Sequence, residues 1–174
     1  QERLDPWLAR ARGPWVEALL AALVRDNAAA ARVARAALAS ACTDVTGFGL
    51  AGHLGAMLRA AGDVSAEVWL DALPALPGAR ELLRRGLRST AHAQNARGRR
   101  GLVLLPGAAG HPALELLFDP QTAGGLLFGV AAARADEALE ALARAGEPAA
   151  VVGVVVPRRD DGAAFSVAPG PSPP

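Results

Sequence analysis

The octapeptide Thr43-Asp44-Val45-Thr46-Gly47-Phe48-Gly49-Leu50 carries one carboxylate into a glycine-rich turn and on into an apolar-periodic helix. Thr46 stands where an N-cap side chain would bind the first free amides of that helix. Gly47 and Gly49 let backbone approach a ligand closely, and uncapped N–H groups at a helix start point at any anion placed there. Asp44, just ahead of the turn, can hold a hard cation beside such an anion through carboxylate oxygen. The same residues also suit a purely architectural part, because capping a helix and turning a chain need no ligand and short glycine motifs recur by chance.

Working outward, Ala41 to Val45 reads as a short buried strand, with Cys42 as a small core residue inside it. After the turn, Leu50, Leu54, Met57, Leu58 and Ala61 recur at helical spacing until Gly62 ends the run. His53 lies beside that stripe, either reaching a ligand or serving as a hydrogen-bonded structural histidine. Upstream, Val16, Leu19, Leu20, Leu23 and Val24 mark one face of a helix following Pro14. Asn27 is then expected to cap a second helix over 28–39, with Arg32 and Arg35 facing water.

Downstream, Val64 to Leu70 alternates as a half-buried strand, 71–77 turns, and 78–85 is short and helical. From Gly86 to Arg100 no period is visible; a loop is expected there, in which Arg97, Arg99 and Arg100 either clamp phosphate or, as basic loop runs usually do, simply stay solvated. Gly101 to Leu105 reads as a strand and His111 to Phe118 as a helix. A second notable stretch, Asp119-Pro120-Gln121-Thr122-Ala123-Gly124-Gly125, turns the chain into a strand over 126–130. A helix over 133–145 closed by Gly146 follows, then a strand over 149–156 whose consecutive valines predict burial on both faces. Past Arg158 the chain is charged and then rich in proline and glycine, so disorder is expected beyond an edge strand at Phe165 to Val167.

The chain has 174 residues, enough for one domain with a substantial core. With 18 basic and 17 acidic residues its charge is +1, which calls for neither nucleic acid nor an anionic membrane. It has no lysine and no tyrosine, so a P-loop lysine, a Schiff-base lysine and a catalytic tyrosine are excluded within this segment. A single cysteine permits no internal disulfide and fits a reducing, cytoplasmic setting. Gln1 in place of an initiator methionine leads us to expect a piece of a longer protein. Residues 1–13 read as a linker or the remnant of a preceding domain, 14–157 as the folded domain and 158–174 as a largely disordered tail. The alternation of helices and strands predicts an α+β fold, a layered α/β/α domain with a mixed, partly antiparallel sheet.

Two separated motifs, ACTDVTGFGLAGHL at 41–54 and LLFDPQTAGGLLFGV at 116–130, together resemble the selenophosphate synthetase family, also called selenide, water dikinase. The resemblance extends over 14–157 and matches the carboxy-terminal domain of that family, the second half of the fold shared with aminoimidazole ribonucleotide synthetase. It implies ATP-dependent synthesis of selenophosphate from selenide with release of orthophosphate and AMP, in a cytoplasmic homodimer using Mg2+. Asp44 matches the family's magnesium-binding aspartate, and the turn Thr46, Gly47 and Gly49 is the implied nucleotide contact. The family's reactive cysteine or selenocysteine and its lysine belong to an amino-terminal ATP-binding domain that this sequence does not contain, so no catalytic residue is expected here and Cys42 is not that nucleophile. Ala123 departs from the family's usual serine. Two other readings are a different ATP-dependent member of the superfamily, of the thiamine monophosphate kinase or hydrogenase-maturation type, and a non-catalytic standalone module.

Overall fold

A computed structural model describes residues 11–171. The chain runs through α1 (Gly13–Leu23), α2 (Ala28–Ala36), β1 (Ala41–Asp44), α3 (Gly49–Ala61), β2 (Val64–Trp69), α4 (Ala79–Arg84) and α5 (His92–Asn95). It continues through β3 (Leu102–Leu104), β4 (Leu126–Gly129), α6 (Ala135–Arg144), β5 (Gly153–Pro157) and β6 (Phe165–Ala168). Tight 3-10 turns occupy Ala96–Gly101, Leu114–Phe118 and Ala132–Arg134. The fold is α+β, as expected.

The strands form two sheets. The main sheet has the order β3-β6-β2-β5, with β3, β6 and β2 parallel and β5 antiparallel to β2. The alternation predicted for β2 holds for Ala66, Val68 and Leu70, which point into the core, but Ser65 on the other face is buried as well. The three apolar side chains meet Leu58 of α3, Leu83 of α4, and Leu114, Leu117 and Phe118 of the intervening 3-10 turn. The second sheet is a two-stranded antiparallel ribbon of β1 and β4, in which Asp44 lies opposite Leu126 and Cys42 opposite Phe128. Helix α2 packs on α6 and on β4, and Ala34, Ala138 and Leu142 fill that smaller core.

Several expectations change. The ribbon leaves one face of β1 open, so the strand is not buried, and Cys42 is exposed rather than a core residue. Asn27 does not cap α2; Asp26 Oδ1 accepts from Ala28 N–H at 2.8 Å, and Asn27 turns to another partner. The stretch 86–100 is not a featureless loop but holds α5 and most of a 3-10 turn, and the helix expected at 111–118 is shortened to a 3-10 turn from Leu114. β5 is an edge strand, and its consecutive Val154 and Val155, which point to opposite faces, are both exposed, so the expected burial on both faces does not hold.

The largest correction is β6. It is not an edge strand in a disordered tail: it sits between β3 and β2 with all four residues buried, and the Ser166 hydroxyl donates to Ala66 O at 3.5 Å. Residues 1–10, which hold most of the expected linker, and 172–174 lie outside the described residues.

Candidate functional site

The turn after β1 is held from four directions. Val45 is buried, and its N–H donates to Gly125 O at 3.0 Å, continuing the ribbon by one bond. Thr46 O accepts from Gly49 N–H at 3.0 Å and from Gln121 N–H at 3.1 Å. Thr46 N–H donates to His53 Nε2 at 3.0 Å, and the Thr46 hydroxyl lies 3.1 Å from the same nitrogen. A nitrogen that accepts a backbone N–H carries no proton, so His53 is held as the tautomer protonated on Nδ1. The Asn95 side chain donates to both Gly47 O at 2.9 Å and Phe118 O at 3.1 Å, clamping the turn to the core.

Thr46 is therefore not the N-cap. Helix α3 starts at Gly49 behind Phe48, no side chain caps it, and the Thr46 hydroxyl serves His53 instead. The first-turn amides of α3 are left without a side-chain partner, the arrangement that favours an anion. Gly49 has φ +68°, and a Cβ there would stand 2.9 Å from Leu117 O and 3.1 Å from Asp119 O, so its smallness is used for packing. Gly47 is exposed, with no atom within 4 Å of where a Cβ would be. Of the two glycines, Gly47 faces open space and Gly49 faces the protein.

Asp44 ends β1 on the open face of the ribbon, on the same side as Cys42. Its carboxylate is exposed and takes no side-chain hydrogen bond or ion pair among the described residues; only its carbonyl is used, by the Thr43 hydroxyl at 3.1 Å. The Cys42 thiol is pushed up from its ordinary value by partial burial and then by the neighbouring Asp44 charge. Beside the turn lies a groove of about 390 Å³ lined by Phe48, Gly52, Ala56, Arg59, Gln94 and Asn95. Among the described residues no three His, Cys, Asp or Glu side chains gather closely enough to hold a metal ion. A hard cation at Asp44 would thus find one protein oxygen here and take the rest of its shell from elsewhere.

Residues 8–165 match the family described as AIR synthase related protein, C-terminal domain. The chain belongs to that family. It is also similar to proteins named selenide, water dikinase: 42% identical over 134 residues to that of Geobacter metallireducens, covering 77% of this chain and 38% of the relative. The corresponding protein of Desulfitobacterium hafniense is 40% identical over 145 residues, covering 83% and 42%. That of Escherichia coli O139:H28 is 38% identical over 137 residues, covering 79% and 38%. The chain thus spans about two fifths of the length of these relatives.

In this AIR synthase related C-terminal domain the second motif buttresses the first. Gly124 rests directly on Val45 O, leaving no room for a Cβ, and its own carbonyl accepts from the Asn27 side chain at 3.0 Å. Local reading missed Asn27 and Asn95 as struts, since their partners lie 97 and 48 residues away. It also missed the support behind the turn. Glu115 takes Arg99 at 2.6 Å and Arg88 at 3.6 Å, the buried His92 lies 3.2 Å from it, and the Arg99 guanidinium covers the Phe118 ring. Arg99 is therefore not a solvated cation, whereas Arg97 and Arg100 are exposed as expected. Among the described residues no helix is long and apolar enough to cross a membrane.

Proposed function

We propose that this chain is the carboxy-terminal domain of an ATP-dependent selenophosphate synthetase, which converts ATP, selenide and water to selenophosphate, orthophosphate and AMP. The observation that carries the reading is the exposed, unpaired carboxylate of Asp44 at the end of a turn that both family motifs build. Asp44 would give one oxygen to Mg2+ on the ATP phosphates, in a composite site whose other ligands come from an amino-terminal ATP-binding portion. Bound there, the ion would neutralise charge developing on the phosphate oxygens.

The parts of this chain act by position. The ribbon register fixes Asp44 relative to the turn, Asn95 and His53 hold the turn rigid, and Gly47 leaves its backbone open to a phosphate oxygen. Thr46 contributes by holding His53 rather than by touching ligand, and Gly49 by letting the turn sit on the core. No residue of this chain is assigned the attack on phosphorus. The similarity to selenide, water dikinases supports selenide as substrate, and a cytoplasmic homodimer completes the proposal.

The test is selenide-dependent AMP formation by the full-length protein carrying Asp44→Ala. Loss of a metal ligand should lower turnover at saturating ATP by at least on the order of 100-fold at limiting Mg2+, with partial recovery at high Mg2+. Unchanged turnover at every Mg2+ concentration would remove Asp44 from the site.

A further inference from the structure

Helix α1 is fastened at both ends with its apolar side turned outward. At its start Trp15 lies over Gly78, so closely that a Cβ there would enter the ring, and the Arg12 guanidinium stacks over the indole at 4.9 Å. At its end Arg25 donates to Gly146 O at 3.0 Å and pairs with Glu147 at 2.9 Å. Two anchors on different parts of the fold fix the helix about its axis. The side presented to the protein is the narrow one, Trp15, Ala18 and Ala22, and no residue of α1 is fully buried. Val16, Leu19, Leu20 and Leu23, a stripe roughly 100° wide by helical spacing, stay 39–58% exposed.

Such a stripe on a helix that cannot roll inward marks a contact surface. Its size selects the occupant. Eleven residues of helix offer roughly 16 Å by 10 Å, or about 160 Å² in footprint, far below the ~800 Å² per partner of a stable free complex. A patch this small holds a partner well only when that partner is part of the same chain, where tethering supplies millimolar effective concentration. The relatives carry more than half of their length outside the matched region. The stripe also leads to the candidate site: four residues past the end of α1, Asn27 bonds the Gly124 carbonyl, and Gly124 rests on the Val45 carbonyl next to Asp44.

We propose that the Val16, Leu19, Leu20 and Leu23 face of α1 docks against the amino-terminal portion of the full-length protein and so sets the distance between that portion and Asp44. The proposal rests on the composite-site reading above, deepening it by naming the surface that aligns the two halves.

Leu20→Cys provides the test, with Val16→Cys as a second position and a small free thiol in the same tube as the rate reference. Alkylation at each position is followed by peptide mass spectrometry in the 174-residue chain and in the full-length protein. Docking predicts at least tenfold slower labelling at positions 16 and 20 in the full-length protein, at every protein concentration and equally when Asp44→Ala is present. Equal rates in the two proteins overturn the proposal, as does protection in the 174-residue chain that grows with its own concentration, since a second copy would then cover the face. An inactive Asp44→Ala protein with an unprotected stripe would sink the docking face alone. An active one with a protected stripe would sink the metal role alone.

Discussion

Replacing Gly49 by alanine probes whether the turn is built from packing, as the geometry indicates. The backbone there has φ +68°, a conformation that costs an L-residue about 1–2 kcal/mol. The new methyl would stand 2.9 Å from Leu117 O and 3.1 Å from both Asp119 O and Phe118 C. All three are backbone atoms, two in the buried 3-10 turn and one just past its end, inside the 3.5–4.0 Å at which nonbonded atoms attract. Relieving the overlap means moving α3 or that turn by several tenths of an ångström, at about 1–3 kcal/mol. The sum is about 2–5 kcal/mol, and with a urea slope near 2 kcal/mol/M the midpoint should fall by roughly 1–2.5 M. Gly47→Ala is the matched control: with no neighbour near its Cβ direction and no positive φ, it should stay within about 0.5 kcal/mol. Circular dichroism of both variants across a urea series decides the matter. Equal midpoints for the two would refute the assignment of Gly49 to packing and Gly47 to open space.

Leu38 ends α2 at φ +55° with its side chain 67% exposed, so Leu38→Gly relieves a left-handed strain at little loss of packing and should raise stability by about 0.5–1 kcal/mol, read as a higher urea midpoint. Burial raises the Asp119 carboxyl above its ordinary 3.8, with His92 nearby offsetting part of the effect. The folded state therefore favours the protonated form, and the associated stability is full below pH 3.8 and is lost as pH rises through the elevated value. Asp119→Asn should thus gain on the native protein between acid and neutral pH, and a constant difference in urea midpoint across that range would contradict the reasoning. Because the Asp44 charge helps to raise the Cys42 thiol, Asp44→Asn should speed alkylation of Cys42 at pH 8; an unchanged rate profile would mean the two side chains do not sense each other.

What the sequence made legible follows the range of the interactions. Helices α1 and α3 and strand β2 announce themselves because their apolar periods are local, and Gly62 and Gly146 stop their helices with positive φ as glycine at that place should. Strand β6 does not. Four residues, Phe165 to Ala168, sit among charged and proline-rich neighbours, and their stability comes from β2 and β3, 99 and 63 residues earlier at the Phe165 register. Composition averaged over that tail hides the one short run that the sheet selects. The valines before it misled in the opposite sense, since a run of branched residues says that a strand forms but not whether a layer covers it.

The same distinction runs through the site. Asp44 and the glycines stand out in the chemistry of eight consecutive residues, yet the contacts within the turn are partly exchanged. The Thr46 hydroxyl meets His53 rather than the helix, and Gly49 packs on the core. Each exchange comes from a contact to residues the octapeptide cannot see. The two family motifs, 75 residues apart from Ala41 to Leu116, belong together for a concrete reason: the Gly124 backbone occupies the space above the Val45 carbonyl, and the Gly125 carbonyl accepts the Val45 N–H. A side chain at 124 would push the two apart and move the end of β1, where Asp44 stands. The second motif can therefore control the position of the carboxylate without any atom of its own at the ligand, and its glycines are as necessary to the proposed metal position as the aspartate itself.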